Sequence, residues 1–345
     1  MSATTAENEP VIAERTIAWY RIPVDRDTMQ RLNTKSDLQG WLQTAGFLGL
    51  LTLTGTAAWL AQSRLPWPLT VLLIFIHGSF WGFLLNGFHE LCHQTVFKTR
   101  ALNTVFVHVF SILSWNNCYW FTASHNRHHR HTLHTPEDLE VTLPVPSITL
   151  RQFIKGGIVY PAGLWAWFLR TVRLSCGRVT GPWETRVLSE MSDAGRRRLF
   201  NWSRAILAFH VTIVAVSIYF KLWLLPLLIT CAPFIGGWLL FLLNNTQHVG
   251  LRDNVPDFRL CARTIHINPF LRFLYWHMNY HIEHHMYAAV PCYNLRKLHL
   301  LLKPDLPPTP NGIVATWKQI ATILREQSKN PTYQYSPPCP APRTA

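Results

Sequence analysis

"WPLTVLLIFIHGSFWGFLLNGFHELCH", Trp67 to His93, sets the reading of the whole chain. Residues 67–88 stay apolar for long enough to cross a bilayer, which takes about 20 residues. The run then ends in two histidines four positions apart, His89 and His93. On a helix such a pair shares one face. A membrane span therefore delivers two imidazoles to one place at its own end.

Working outward, "WLQTAGFLGLLTLTGTAAWLA" at 41–61 is a second such run, and only "QSRLP" separates the two. Downstream, "AILAFHVTIVAVSIYF" at 205–220, extended to about 203, is followed after Lys221 by "LWLLPLLITCAPFIGGWLLFLL" at 222–243. We read these as four transmembrane helices in two tight hairpins. That topology places residues 1–40, the region 89–204 and the C-terminal part on one side. Of 32 Lys and Arg, only Arg64 and Lys221 fall in the two short loops. So uneven a distribution puts the large segments in the cytoplasm.

Composition fits this reading. The chain has 345 residues, 48% hydrophobic and 14% charged, against roughly 25% charged in soluble domains. The net charge of +14 follows from sidedness and does not point to nucleic acid. Seven cysteines without a CxxC give neither a disulfide framework nor a zinc ribbon. The polar first 40 residues do not resemble a cleavable signal peptide. The expected fold is all-α: a polytopic membrane protein with a cytoplasmic helical cap. It divides into an N-terminal segment (1–40), a membrane domain (41–303) and a Pro-rich tail (304–345), partly disordered from about 331. Two shorter apolar stretches, 102–115 and 156–172, read as helices lying at the membrane interface.

The cap carries the chemistry. Besides "HELCH", the chain has "HNRHH" (His125, His128, His129), "NNTQH" (Asn244, His248) and "HIEHH" (His281, His284, His285). Each spacing puts its polar residues on one helical face. All four fall at the cytoplasmic ends of the spans or in the segments that follow. Nine imidazoles exceed what one ion takes and suit two ions with four or five nitrogens each. Imidazole accepts iron, copper, nickel or zinc alike. Glu90, Asp138, Glu140 and Glu283 are candidates to accept the second ring N–H of a ligating histidine. Arg127 and Arg130 read as surface charge near headgroups or an electron-donor surface. The remaining eight histidines, His299 among them, are expected to be dispensable for ligation.

As an ordered set, these four elements resemble the HxxxH, HxxHH, NxxxH and HxxHH boxes of the integral-membrane fatty acid desaturase and hydroxylase superfamily. The resemblance covers about residues 67–300. It implies a non-haem centre of two iron ions held by His89, His93, His125, His128, His129, His248, His281, His284 and His285, with Asn244 reaching one iron through water. It also implies O2 as acceptor, a hydrophobic acyl or lipid-like substrate and an external electron donor such as cytochrome b5 or ferredoxin. The membrane would be the endoplasmic reticulum in a eukaryote and the inner membrane in a bacterium. The first box has three intervening residues where acyl-CoA delta-9 desaturases have four. His281 stands where front-end desaturases usually have glutamine. Two rival readings remain open at this point: a hydroxylase of the same superfamily, acting on a lipid, carotenoid or secondary metabolite, and a membrane zinc hydrolase, which needs only about three histidines.

Overall fold

A computed structural model of the chain describes residues 16–141 and 149–343; the first 15 residues of the expected N-terminal segment and the last two of the tail lie outside it. Among the described residues every regular element is helical, and β pairing is limited to isolated bridges.

The first hairpin forms where local signals ask for it. The Ser36 hydroxyl accepts from the Gln39 N–H at 3.3 Å, and Asp37 sits in the positive first turn of the helix Asp37–Ala61. Pro68 opens the returning helix, Trp67–Trp81, where its missing N–H costs nothing. After an irregular turn at Gly82 and Phe83 the chain continues as Leu84–Cys92, so 67–92 runs on as one long apolar element. His77 ties the hairpin together: its ring lies 2.9 Å from Thr54 Oγ1 and 3.0 Å from the Leu228 carbonyl. A neutral imidazole bonded to neighbouring backbone accounts for this intramembrane histidine. His210, stacked on Trp115 and bonded to the Ile112 carbonyl, is explained in the same way.

The helix Asp193–Phe220 contains the third expected span and begins about ten residues earlier. Ser192 caps it, accepting from the Gly195 N–H at 3.2 Å. It closes at Lys221, in the left-handed region with φ 58°, where the Leu222 N–H returns to the Ser217 carbonyl. Three helices, Asp37–Ala61, Trp67–Cys92 and Asp193–Phe220, are thus long and apolar enough to cross a membrane. They turn Leu53, Leu72, Val211 and Ile218 outward. A belt of that kind suits lipid and would be a liability in water.

The stretch 222–243 is not the continuous helix expected. It breaks into Leu224–Leu228, a short turn Ala232–Phe234 and Trp238–Asn244. Pro233 offers no N–H, and Gly236 has φ 67°, which stops a right-handed helix. The freed backbone groups pair with another break in the chain. The Tyr160 N–H bonds the Phe234 carbonyl at 2.8 Å, and the Gly236 N–H bonds the Ile158 carbonyl at 2.7 Å. The same pairing divides the expected 156–172 helix, which appears as Leu150–Gly157 and Pro161–Ser175. The helix Arg100–Leu113, at 14 residues, rises about 21 Å and is too short to cross.

The tail was expected to carry little core and to be partly disordered. Its described part, to residue 343, contains one α-helix and several contacts with the body. The helix Gly312–Lys329 buries Thr316, Ile320 and Ile323, and its Trp317 indole N–H bonds the Leu242 carbonyl at 3.0 Å. Beyond it, the Tyr335 N–H bonds the Gly250 carbonyl, and Arg343 pairs with Asp305 at 2.6 Å. Backbone hydrogen bonds hold this segment where apolar content alone would not.

Gly87 packs so tightly that a Cβ there would collide with the rings of Phe110 and Trp276, whereas at Gly49 a Cβ would meet nothing within 4 Å. Gly87→Val should lower the thermal unfolding midpoint in detergent, by an equivalent of about 1–3 kcal/mol for overpacking. Gly49→Ala should leave the midpoint unchanged or raise it, by up to about 1 kcal/mol of helix propensity.

Candidate metal centre

The four histidine boxes reach one place from different supports. His89 ends the helix Leu84–Cys92 and His93 caps it. "HNRHH" lies in the last turns of the helix Cys118–His131, whose start is fixed by Asn117 accepting from the Tyr119 and Trp120 N–H groups. "HIEHH" is a buried helix of its own, His281–Met286. The fourth box differs from the single helical face expected. The helix Trp238–Asn244 ends at Asn244, and His248 is carried by the turn that follows.

The nitrogens fall into two groups, His89, His93, His125, His129 and His284 in one and His128, His248 and His285 in the other, each with its ligand atoms within 4.8 Å of one another. His281 adjoins the second group, with its Nε2 2.9 Å from His248 Nε2 and 3.1 Å from His285 Nε2. Asn244 Oδ1 accepts from Asn86 Nδ2 at 3.4 Å and borders the same cavity as His248 and His281.

The backs of the rings decide what the fronts can do. His248 Nδ1 lies 2.7 Å from the Cys261 carbonyl, which can only accept, so Nδ1 carries the proton. Thr132 gives its hydroxyl proton to the His128 carbonyl, so its oxygen accepts from His285 Nδ1 at 3.2 Å. His128 Nδ1 bonds Asp138 Oδ2 at 2.8 Å, and Asp138 also accepts from the Leu133 and Glu140 N–H groups. In the neutral rings all three Nε2 atoms are therefore bare lone pairs facing one space. In the first group two rings, His125 and His89, are backed in the same way. His125 Nδ1 is 2.7 Å from Glu140, which Ser124 also holds, and His89 Nδ1 is 3.0 Å from Glu90. Glu90 also lies 3.6 Å from His284 Nδ1.

Burial keeps most of these rings neutral. It pulls His93 and His248 down to about 3, and His125, His129, His281, His284 and His285 well below their ordinary value. His128 is the exception: burial pulls it down, but the Asp138 charge outweighs this and raises it. The field at His128 thus favours a positive charge. Neutral imidazole is the form that binds metal. The front nitrogens approach as closely as 2.6 Å (His89 and His125) and 3.0 Å (His125 and His129). Two nitrogens each about 2.1 Å from a shared ion sit about 3.0 Å apart when they are cis. Converging imidazole nitrogens, most of them kept neutral by burial, fit cations, and the all-nitrogen donor set fits iron among the metals imidazole takes.

Some residues behave otherwise than spacing suggested. Glu283 bonds Thr264 and His299, not a ligand ring. Arg127 is fully buried and not surface charge; its guanidinium bonds the Glu137 carbonyl and pairs with Glu190. Thr132, Cys261 and Ser124 take part through a hydroxyl or a carbonyl, and nothing in the sequence marks them.

Beside the centre lies a cavity of about 300 Å3, with Leu85, Phe121, Val141 and Met278 on its walls together with Asn86, Asn244 and Gln247. An all-helical chain with membrane-capable helices and an imidazole centre at the end of one of them belongs to a narrow class of membrane-bound metal proteins. Comparison with known proteins gives the family: the fatty acid desaturase profile matches residues 63–317, and the chain belongs to that family of oxidoreductases. It is 27% identical over 282 residues to a delta-6 fatty-acid desaturase of Caenorhabditis elegans, covering 72% of this chain and 61% of that one. It is 24% identical over 317 residues to an sn-1 oleoyl-lipid 12-desaturase of a Synechocystis species, covering 84% of this chain and 82% of the relative. The chain therefore spans under two thirds of the worm relative's length.

Asp138 fixes the proton on His128. Asp138→Ala should weaken iron binding by about 10–100-fold, the usual cost of losing such a partner, read as iron retained against a graded series of chelator concentrations. Wild-type retention would show that the carboxylate does not act through His128.

Proposed function

We propose that the protein is an O2-dependent membrane desaturase that introduces a double bond into a hydrophobic acyl or lipid-like chain. Two iron ions would be held by His89, His93, His125, His129 and His284 on one side and by His128, His248, His281 and His285 on the other, with Asn244 beside the second. One observation carries this reading: two sets of imidazole nitrogens converge beside a partly apolar cavity at the end of a membrane-capable helix. The two relatives, named for a fatty acid and for an oleoyl lipid, support an acyl chain as the substrate.

Iron bound there supplies the oxidising power, with O2, to remove hydrogen from an unactivated C–H bond. The chain's own residues prepare the place. Glu90, Asp138 and Glu140 hold the second ring protons, so the imidazoles cannot turn. Leu85, Phe121, Val141 and Met278 form apolar walls that would seat a methylene chain and keep water out. Taking two hydrogens from the chain while O2 becomes two waters requires two further electrons and two protons. These would come from an external carrier such as cytochrome b5 or a ferredoxin.

We infer the sidedness from the charges: with Arg64 and Lys221 alone in the short loops, the metal centre faces the cytoplasm. The broken 222–243 segment would return the chain across the bilayer, with its irregular backbone protected by the pairing to 158–160. The membrane would be the endoplasmic reticulum or a bacterial inner membrane, according to the source.

The test is mass spectrometry of lipids from cells with and without the protein. The expected change is an acyl product lighter by about 2 Da that requires both O2 and the metal ligands. A product heavier by about 16 Da would make it a hydroxylase. O2-independent turnover with bound zinc would make it a hydrolase.

A further inference from the structure

The segment "CARTI", Cys261–Ile265, contains no histidine and belongs to no box, yet it bonds to the supports of two of them. Toward His248 it makes four contacts. The Cys261 carbonyl accepts from His248 Nδ1, and the Arg263 N–H bonds the Gln247 carbonyl at 2.8 Å. The Arg263 guanidinium donates to the Thr246 carbonyl at 2.6 Å and to the Val249 carbonyl at 3.1 Å. Together these close the turn that carries His248. Toward "HIEHH" the Thr264 hydroxyl accepts from the Ile282 N–H at 3.2 Å and donates to Glu283 at 2.5 Å. The Ile265 N–H bonds the Asn279 carbonyl, and Asn279 Nδ2 returns to the Ile265 carbonyl, both at 2.9 Å. From the opposite side His299 Nδ1 bonds Glu283.

Every side chain in this chain of contacts is buried. Arg263 has no carboxylate partner among the described ion pairs; its acceptors are carbonyls of the His248 turn. Burying a guanidinium is costly, and removing it alone would leave the buried Thr246 and Val249 carbonyls without these donors. Its contacts here fix a ligand-bearing turn that belongs to no helix. The six-residue helix His281–Met286 is likewise too short to hold itself. Of the four histidines proposed for the second ion, His248, His281 and His285 ride on segments held by residues 261–265. In the five-histidine group only His284 does, and Glu90 and Glu140 support that group independently.

We propose that Cys261–Ile265 is a brace serving one of the two metal sites, that of His128, His248, His281 and His285, with Arg263 and Thr264 as positioning residues. The brace rests on the two-iron reading above. It sets the distance between the His248 turn and the "HIEHH" helix, and so the geometry into which the second ion fits. His299 acts through Glu283 as its rear support.

The test measures iron per chain in the full-length protein in detergent, titrated with a chelator. Thr264→Val keeps the shape and removes the hydroxyl; Thr264→Ser restores it. Thr264→Val should split the titration, releasing one iron at about 10–100-fold lower chelator while the other stays at the wild-type position. Thr264→Ser should return to the wild-type curve. Adding His248→Ala to Thr264→Val should remove little further iron, whereas adding His93→Ala should remove most of what remains. Arg263→Gln should reproduce the split if Thr264→Val fails to fold. Wild-type protein holding about two irons, with both variants releasing them as the wild type does, would overturn the brace alone. Wild-type protein holding one metal or none would overturn the two-iron reading and the brace with it.

Discussion

Hydrogen bonds behind five of the nine converging imidazoles set the geometry of the histidine cluster. A histidine can present either ring nitrogen. Here a carboxylate, a carbonyl or a committed hydroxyl takes the proton on Nδ1 at His89, His125, His128, His248 and His285. That choice leaves the Nε2 lone pairs pointing at one another across as little as 2.6 Å in a buried space. Burial disfavours protonation at most of these rings, with His128 beside Asp138 the exception, and closely facing neutral imidazoles are suited to a cation.

This constraint explains why the acceptors sit where they do. Asp138 and Glu140 lie in the turn after "HNRHH", close enough in sequence to fold back under the rings of His128 and His125. Glu90 lies inside the first box and stands between His89 and His284, linking the end of a membrane helix to the last box. The membrane helices supply rigidity: a ligand at the end of Trp67–Cys92 moves only if the hairpin fastened by His77 moves.

Much of this was legible in the sequence. Two apolar runs separated by five residues gave the first hairpin, and four spaced polar clusters gave the histidines that converge. What the sequence concealed was of other kinds. Pro233 and Gly236 were visible inside 222–243, but hydropathy outweighed them, and their cost is met by pairing with Ile158–Tyr160, which no local pattern announces. The spacing of Asn244 and His248 looked helical although the helix ends between them. Glu283 looked like a ring acceptor because carboxylates near histidines usually are, and instead it joins Thr264 to His299. His299 stands alone in the sequence, and nothing there marks its bond to Glu283. Contacts made through carbonyls or across more than a dozen residues leave no periodicity to read.

The proposed centre draws its protein donors from converging imidazoles. X-ray absorption at the iron edge of the purified, iron-loaded protein tests it most directly. Such a centre should give a first shell of nitrogen and oxygen only, near about 2.1 Å, with the outer-ring scattering of several imidazoles per iron. A sulfur shell near 2.3 Å, or a spectrum without imidazole scattering, would contradict it.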